Sequence, residues 1–145
     1  MTTSITIPRE RIVETARSYI GTPFHDGAQL KGIGIDCANL LAAVFKEAGA
    51  IDDIPIEPYP PQIFIHSAEE AFLAYLERYL HRVDENSVGP GDVVIWKMGR
   101  SYGHAAFILD WPQIIHAWKP ARAVIRDSAL ISDLNQRPRL FYSAW

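Results

Sequence analysis

Cys37 is the only cysteine among the 145 residues, and its surroundings suit a thiol nucleophile. It lies in the stretch GIGIDCANLLAAVF, residues 32–45, directly after Asp36 and before an apolar run. In the first turn of a helix, its sulfur would meet the positive end of the helix dipole and unpaired N–H groups. That setting favours the reactive thiolate, and the same N–H groups could stabilise an oxyanion on an acyl substrate. The alternative is a small buried core residue, because free cysteines are among the most buried residue types.

A cysteine nucleophile needs a base with an orienting partner, and His104 and His116 are the best placed of the five histidines. His104 begins the run HAAFILD and His116 ends QIIH, 12 residues later. A hairpin that turns at Trp111-Pro112 would bring the two strands together. Alternation along each strand then allows both imidazoles to lie on one face. One ring would take the thiol proton, while the other would fix its tautomer.

Two other interpretations of these histidines stay open at this point. They could be core residues whose ring nitrogens are satisfied by backbone carbonyls. They could also bind zinc together with Cys37, but no fourth ligand has a suitable spacing, so we expect no metal and no cofactor. His25, in a glycine-rich loop, is either a site residue or a polar loop residue.

The first half of the chain has the apolar spacing of helices that could position the cysteine. We predict a helix over residues 8–20, with Pro8 in its first turn, and a loop over residues 21–35. A second helix should begin near Asp36 or Cys37 and run to about Ala48. Ser67 and Glu70 form a capping-box pattern that should open a third helix, which runs to about Leu80.

The second half has the sequence pattern of strands, which could position the histidines. The runs DVVIWKM, HAAFILD, QIIHAWK, AVIRD and RPRLFYSAW are short, β-prone and separated by turn signals. A short helical piece should fill residues 129–135. Helices followed by an antiparallel sheet predict an α+β domain in which N-terminal helices pack on the C-terminal sheet.

Composition limits the class of protein. The chain is 48% hydrophobic and 21% charged, with a formal net charge of −3, which predicts one globular domain over residues 1–145. This charge argues against a nucleic-acid partner. No apolar run approaches the roughly 18 residues that span a bilayer, and the N-terminus lacks a signal-peptide core. We therefore expect cytoplasmic synthesis without a membrane span, with delivery inside a larger, phage-like particle as an open possibility.

Four segments in order resemble the NlpC-type cell-wall peptidases, which are papain-like cysteine enzymes that cleave peptidoglycan stem peptides. GTPFHDGAQLKGIGIDCANLL resembles the loop and nucleophile helix of that family, and GPGDVVIWK resembles its Pro-Gly-Asp strand start. GHAAFILD and QIIHAW resemble its two following strands, which carry the histidine and the third polar catalytic residue. The loop looks closest to the phage-tail and gene-transfer-agent branch, which implies phage-tail proteins as further partners.

The resemblance implies a role for each matching residue. Cys37 would be the nucleophile, His104 the general base and His116 its orienting partner, with the backbone N–H of Cys37 in the oxyanion hole. Further candidates for substrate or oxyanion contacts surround them: Phe24, His25, Asp36, Asn39 and Gly103.

Two of those candidates depart from the family pattern. Phe24 stands where many members have tyrosine, and Asn39 stands where a glycine is usual. Both departures bear on the identity of the substrate more than on the type of reaction.

The resemblance implies a peptidase or amidase that cleaves the bond between γ-D-glutamate and a diamino acid. A structural phage-tail component with weak or lost activity, and a small-molecule amidase or acyltransferase, are the alternatives. An insert at about residues 51–88 is expected to rim one side of the cleft.

Overall fold

The computed structural model describes residues 7–50, 73–74, 76–130 and 133–145. In these ranges, helices α1 (Arg9–Arg17) and α2 (Cys37–Glu47) precede a six-stranded sheet in which every pairing is antiparallel. Residues 73–74 and 76–79 are also helical. The predicted α+β class is therefore confirmed, with the helices first along the chain and the sheet after them.

The sheet has the strand order β3-β8-β4-β5-β6-β7, so only β4 to β7 are neighbours both in sequence and in space. A separate two-stranded ladder pairs β1 with β2. The strands have these bounds: β1 (Gln29–Leu30), β2 (Gly34–Ile35), β3 (His81–Val83), β4 (Val93–Met98), β5 (Ser101–Asp110), β6 (Gln113–Trp118), β7 (Ala123–Ser128) and β8 (Arg139–Ser143).

Several element boundaries that the sequence predicted differ from those in the structure. Helix α1 ends at Arg17, three residues early, and Pro8 is its extended N-cap rather than a first-turn residue. The loop over residues 21–35 contains the short β1–β2 ladder. The helical piece expected over residues 129–135 is a 3₁₀ helix at Asp133–Gln136.

The expected insert over residues 51–88 falls mostly outside the described residues, as does the capping box at Ser67 and Glu70. Its place beside the cleft therefore stays a prediction. The described end of this segment shows one unexpected feature, because β3 joins the edge of the main sheet beside β8. Among the described residues, no helix has both the length and the apolar character needed to cross a bilayer.

Each face of the sheet buries its own apolar cluster. The helix-side cluster joins α1 and α2 to one face and includes Ile12, Leu40, Phe45, Phe107 and Ile115. Phe45 of α2 meets Phe107 of β5 edge to face, with ring centroids 5.4 Å apart. The opposite cluster contains Val94, Trp96, Ala106, Ile108 and Ile114. Because side chains alternate along each strand, β4, β5 and β6 supply both clusters.

Helix α1 is fixed to the start of β4 by a buried carboxylate. The Asp92 side chain has no exposed surface and accepts hydrogen bonds from Arg9 Nη1 at 2.9 Å and from the Gly89 N–H at 2.8 Å. Arg9 also donates to the Pro90 carbonyl at 3.0 Å and lies over the Trp145 ring. The Gly-Pro-Gly-Asp turn thus joins the first helix, the sheet and the last residue of the chain.

Replacing Arg9 with methionine should destabilise the fold, because it leaves a buried carboxylate without its cation. Breaking a fully buried ion pair costs about 3–5 kcal/mol. The Arg9 side chain is 32% exposed, so solvent screening reduces the expected loss to about 1–2 kcal/mol. Urea unfolding measures it. The matched control is Arg11→Met on the exposed side of the same helix, and equal losses in both variants would contradict a role for the Arg9–Asp92 pair.

Candidate active site

Asp36 begins helix α2 and thereby places Cys37 as its first residue. Asp36 has an extended backbone, and its Oδ1 accepts hydrogen bonds from the Asn39 backbone N–H and from Asn39 Nδ2, each at 2.9 Å. Its Oδ2 accepts the Gly27 N–H at 2.7 Å. A capping carboxylate satisfies N–H groups that the first helical turn leaves unpaired. The side chains of Asp36 and Asn39 thus both belong to the helix cap. The Asn39 amide, which glycine lacks, adds a hydrogen bond to that cap.

The loop that contains Phe24 and His25 is held against β2 and the residue before β7 by backbone hydrogen bonds. The Phe24 N–H donates to the Arg122 carbonyl at 2.9 Å, and the His25 N–H donates to the Ile35 carbonyl at 3.1 Å. A Cβ atom at Gly34 would lie 2.9 Å from the Cβ of His25, so this close approach requires glycine. The loop therefore places Phe24 and His25 beside the turn that leads into Cys37.

The Cys37 thiol meets β5 at an irregularity in the sheet. In the register of β4 and β5, Trp96 faces His104 and Lys97 faces Tyr102, so Gly103 is an extra residue without a counterpart. The thiol donates to the Gly103 carbonyl at 3.6 Å, and the backbone N–H of Ala105 also acts on the sulfur. Bulges redirect backbone groups and side chains beside functional sites. This one brings the sulfur against the backbone on both sides of His104.

The predicted hairpin between the two histidines is confirmed. His104 Nε2 on β5 and His116 Nδ1 on β6 are 2.8 Å apart, and both side chains are buried. The β5–β6 register pairs Phe107 with Ile115, which makes the two histidines diagonal neighbours. They lie on the sheet face of Trp96, opposite the face on which α2 packs.

Two tryptophans enclose the imidazole pair. Trp96 stacks on His104 with ring centroids 5.7 Å apart, and Trp118 lies at 4.9 Å from the same ring on a tilted plane. Trp118 also stacks on His116 at 5.0 Å, with 13° between the ring planes. These rings exclude water from the pair and limit its movement. Residue alternation along QIIHAW places Trp118 on the face of His116, whereas finding Trp96 requires the β4–β5 register.

Asp127 on β7 is a site residue that sequence reasoning missed. Its Oδ2 lies 3.1 Å from His116 Nε2, and its Oδ1 accepts the Ser128 N–H at 2.8 Å. The β6–β7 register places Asp127 opposite Ile114, one alternation from His116 on the same face. Only that register identifies Asp127, because the run AVIRD contains no motif of its own.

Burial determines the protonation of the site. Cys37 keeps some exposed surface, but the protein atoms packed around its sulfur, together with the nearby Asp36 charge, raise the pKa of its thiol to about 12. Backbone N–H groups act in the opposite direction and are outweighed. Desolvation, with a smaller effect from His116, holds the pKa of His104 well below its usual range. Desolvation also lowers the pKa of His116, although Asp127 opposes that shift. At neutral pH the thiol therefore keeps its proton and both imidazoles are neutral.

An open cleft of about 480 Å³ is lined by Phe24 and His25 of the loop before α2, together with Asp26, Lys119 and Arg122. Lys119 and Asp26 form an exposed ion pair at 3.5 Å. Lys119 directly follows Trp118, the residue whose ring contacts both imidazoles. Among the described side chains, no group of three or more histidine, cysteine, aspartate or glutamate residues is arranged to hold a metal ion.

Comparison with solved structures shows that the chain has the fold of NlpC/p60 domains. It superposes on the NlpC/p60 domain of the peptidoglycan hydrolase SagA with a TM-score of 0.68 and 22% identity, over 92% of this chain and 97% of that one. It superposes on NlpC1 from Trichomonas vaginalis with a TM-score of 0.69 and 14% identity, over 98% of this chain and 47% of that one. The chain thus spans less than half the length of some of these proteins.

A third similar structure is RipD from Mycobacterium tuberculosis, described as a non-catalytic NlpC/p60 domain protein adapted to peptidoglycan binding. Its TM-score is 0.60 at 13% identity, over 94% of this chain and 97% of that one. No protein-family model and no curated protein sequence matches the chain. At these identities the comparisons establish the fold, so the function must be argued from the side chains.

The lowered pKa values of the histidines predict that mild acid destabilises the protein. A group whose pKa is lower in the folded state binds protons more strongly when the chain is unfolded. The free energy of unfolding should therefore fall as the pH drops below about 6.5, the ordinary histidine value. Replacing His104 with glutamine removes one such group and should flatten this dependence between pH 7 and about 5.

Urea unfolding across this pH range tests the prediction, with His81→Gln on β3 as the matched control. The control should keep the wild-type slope. Identical slopes in the wild type and the His104 variant would show that His104 does not titrate differently in the folded protein.

Proposed function

We propose that the chain is a cysteine peptidase or amidase that acts on peptidoglycan stem peptides. The observation that carries this proposal is the contact of the Cys37 sulfur with the backbone on both sides of His104, whose ring is hydrogen-bonded to His116. A thiol, a neutral base and an orienting partner are the three parts that acyl transfer through cysteine requires. The arrangement is built on a helix terminus and two paired strands, which hold the side chains firmly.

The reaction follows from the resting protonation. As Cys37 Sγ attacks the scissile carbonyl carbon, its proton moves to His104 Nδ1, and the carbonyl oxygen becomes an oxyanion. The backbone N–H of Cys37, at the start of α2, is a donor for that oxygen. His104 then gives the proton to the leaving amine, and a thioester remains on Cys37.

Hydrolysis of the thioester uses the same base. A water molecule attacks the thioester carbonyl and gives a proton to His104. The C–S bond breaks, the sulfur recovers that proton, and a free carboxylic acid leaves. The enzyme returns to a neutral thiol beside neutral imidazoles, which is the state that burial favours.

The cleft lined by Phe24 and His25 supports a peptide substrate that carries charges of both signs. Lys119 and Arg122 present two cations, and Asp26 presents one carboxylate, at the wall formed by Phe24 and His25. Stem peptides carry free carboxylates and amines, so both kinds of charge have a counterpart. The bond between γ-D-glutamate and a diamino acid is the one that we propose is cleaved, because the four sequence segments resemble enzymes of that specificity.

We also propose a biological setting for the chain. The form of the loop before Cys37 supports a phage-tail or related particle, with phage-tail proteins as partners and cytoplasmic synthesis before delivery. No contact in the described residues bears on this setting, and it stays a prediction.

The direct test is hydrolysis of a purified muropeptide that contains a γ-D-glutamyl–diamino acid bond, followed by mass spectrometry of the products. Cys37→Ala should abolish turnover, because the nucleophile is lost. His104→Ala should lower it by roughly 10²–10⁴-fold, the usual contribution of a general base. The matched control, His81→Ala, should keep wild-type turnover.

A second measurement separates catalysis from binding alone. If the wild type leaves the muropeptide intact and binds purified sacculi as tightly as Cys37→Ala does, the peptidase proposal is wrong. The chain would then resemble RipD in function as well as in fold. Circular dichroism of each variant shows whether a loss reflects unfolding.

A further inference from the structure

The carboxylate of Asp127 extends the pair of histidines into a chain of three polar side chains on adjacent strands. His116 Nε2 lies 3.1 Å from Asp127 Oδ2, and His116 Nδ1 lies 2.8 Å from His104 Nε2. The Ser128 N–H holds the other carboxylate oxygen at 2.8 Å, so the carboxylate has a fixed orientation. The His116 side chain has no exposed surface, whereas that of Asp127 is 25% exposed.

The donors and acceptors of this series of hydrogen bonds can be assigned by starting from the Asp127 carboxylate. An ionised carboxylate only accepts hydrogen bonds, so His116 Nε2 must carry the hydrogen. A neutral imidazole has one N–H, which leaves His116 Nδ1 as an acceptor. His104 Nε2 must then donate to it, and His104 Nδ1 becomes the bare nitrogen.

The proposed function requires this bare nitrogen to accept the thiol proton. Within an imidazole side chain, Nδ1 is the ring nitrogen nearer the residue's own backbone. The Cys37 sulfur contacts the backbone on both sides of His104, at the Gly103 carbonyl and the Ala105 N–H. The opposite tautomer would place a hydrogen on Nδ1 and prevent it from accepting the thiol proton.

We propose that Asp127 is a positioning residue that sets the tautomers of His116 and His104 and thereby selects Nδ1 of His104 as the base. This role rests on the peptidase function proposed above. The role involves a third strand. The carboxylate of Asp127 on β7 acts through His116 on β6 and determines which ring nitrogen of His104 on β5 carries the hydrogen. In serine proteases, a carboxylate that orients the catalytic histidine acts by the same physical principle on one imidazole instead of two.

The decisive variant is Asp127→Asn, because an amide keeps the size of the side chain but can donate to His116 Nε2. That donation would place the hydrogen on His116 Nδ1, which in turn would force it onto His104 Nδ1. Nitrogen-15 NMR of the histidine side chains at pH 7 reports each tautomer. We expect Nε2–H for both rings in the wild type and a shift toward Nδ1–H in the variant.

Turnover of the muropeptide is the second readout. The value of kcat should fall by roughly 10²–10⁴-fold in Asp127→Asn, with KM within about threefold, as expected when a tautomer is wrong and binding is intact. Asp127→Glu keeps the acceptor and should restore the wild-type tautomers with part of the activity. Asp110→Asn, at the exposed end of β5, is the matched control and should change neither readout.

The NMR measurement does not depend on the substrate, so it separates this inference from the proposed function. If the wild type cleaves no muropeptide but shows the expected tautomers and the Asp127→Asn shift, the function is wrong and the role of Asp127 in setting the tautomers stands. An Nδ1–H tautomer of His116 in the wild type would overturn the inference, even if the asparagine variant failed to fold. Wild-type tautomers and unchanged kcat in Asp127→Asn would overturn it as well.

Discussion

Two buried imidazoles in contact impose the constraint on which the site depends. A buried polar group without a hydrogen-bond partner costs roughly 1–3 kcal/mol, so each buried ring nitrogen needs a partner. Three of the four nitrogens are accounted for by the contact between His104 and His116 and by the carboxylate of Asp127. Meeting this constraint requires β5, β6 and β7 to lie side by side in a fixed register, which is how the sheet pairs them. The fourth nitrogen, His104 Nδ1, is the one that the proposed reaction uses as its base.

The start of helix α2 combines two opposed requirements. The sequence predicted that the helix terminus would favour a thiolate at Cys37, and the backbone N–H groups there do lower the pKa of its thiol. Desolvation and the charge of Asp36 outweigh them, and the thiol stays protonated. Asp36 nevertheless has a structural role, because its carboxylate caps the helix and accepts hydrogen bonds from Gly27 and Asn39. The carboxylate that caps the helix therefore disfavours the ionised form of Cys37, and in the proposed reaction the thiol proton is transferred to His104 during the attack itself.

The parts of the structure that follow from local patterns could be predicted, and the parts that depend on register could not. Residue spacing identified α2, the strand runs and the hairpin that joins His104 to His116. Asp127 and Trp96 were out of reach, because each becomes a neighbour of the imidazoles only through an antiparallel register. The same holds for β3, which joins the sheet beside β8 across a long stretch of chain. The bulge at Gly103 is non-local as well, since it exists only in the pairing of β4 with β5.

The buried pair of imidazoles carries a desolvation cost that the proposed function would explain. Apolar side chains of similar volume could fill the space between Trp96 and Trp118 without any desolvation penalty, and such replacements are often neutral or stabilising. The proposed peptidase function gives a physical reason to keep two imidazoles and a carboxylate aligned in one hydrogen-bonded series. Neither Phe24 nor Asn39 disturbs that alignment: Asn39 donates to the Asp36 cap, and the backbone of Phe24 holds the loop against Arg122. The departures from the pattern of that family therefore lie in the helix cap and the cleft wall, and under the proposed function they would affect which peptide fits more than the attack on its acyl carbon.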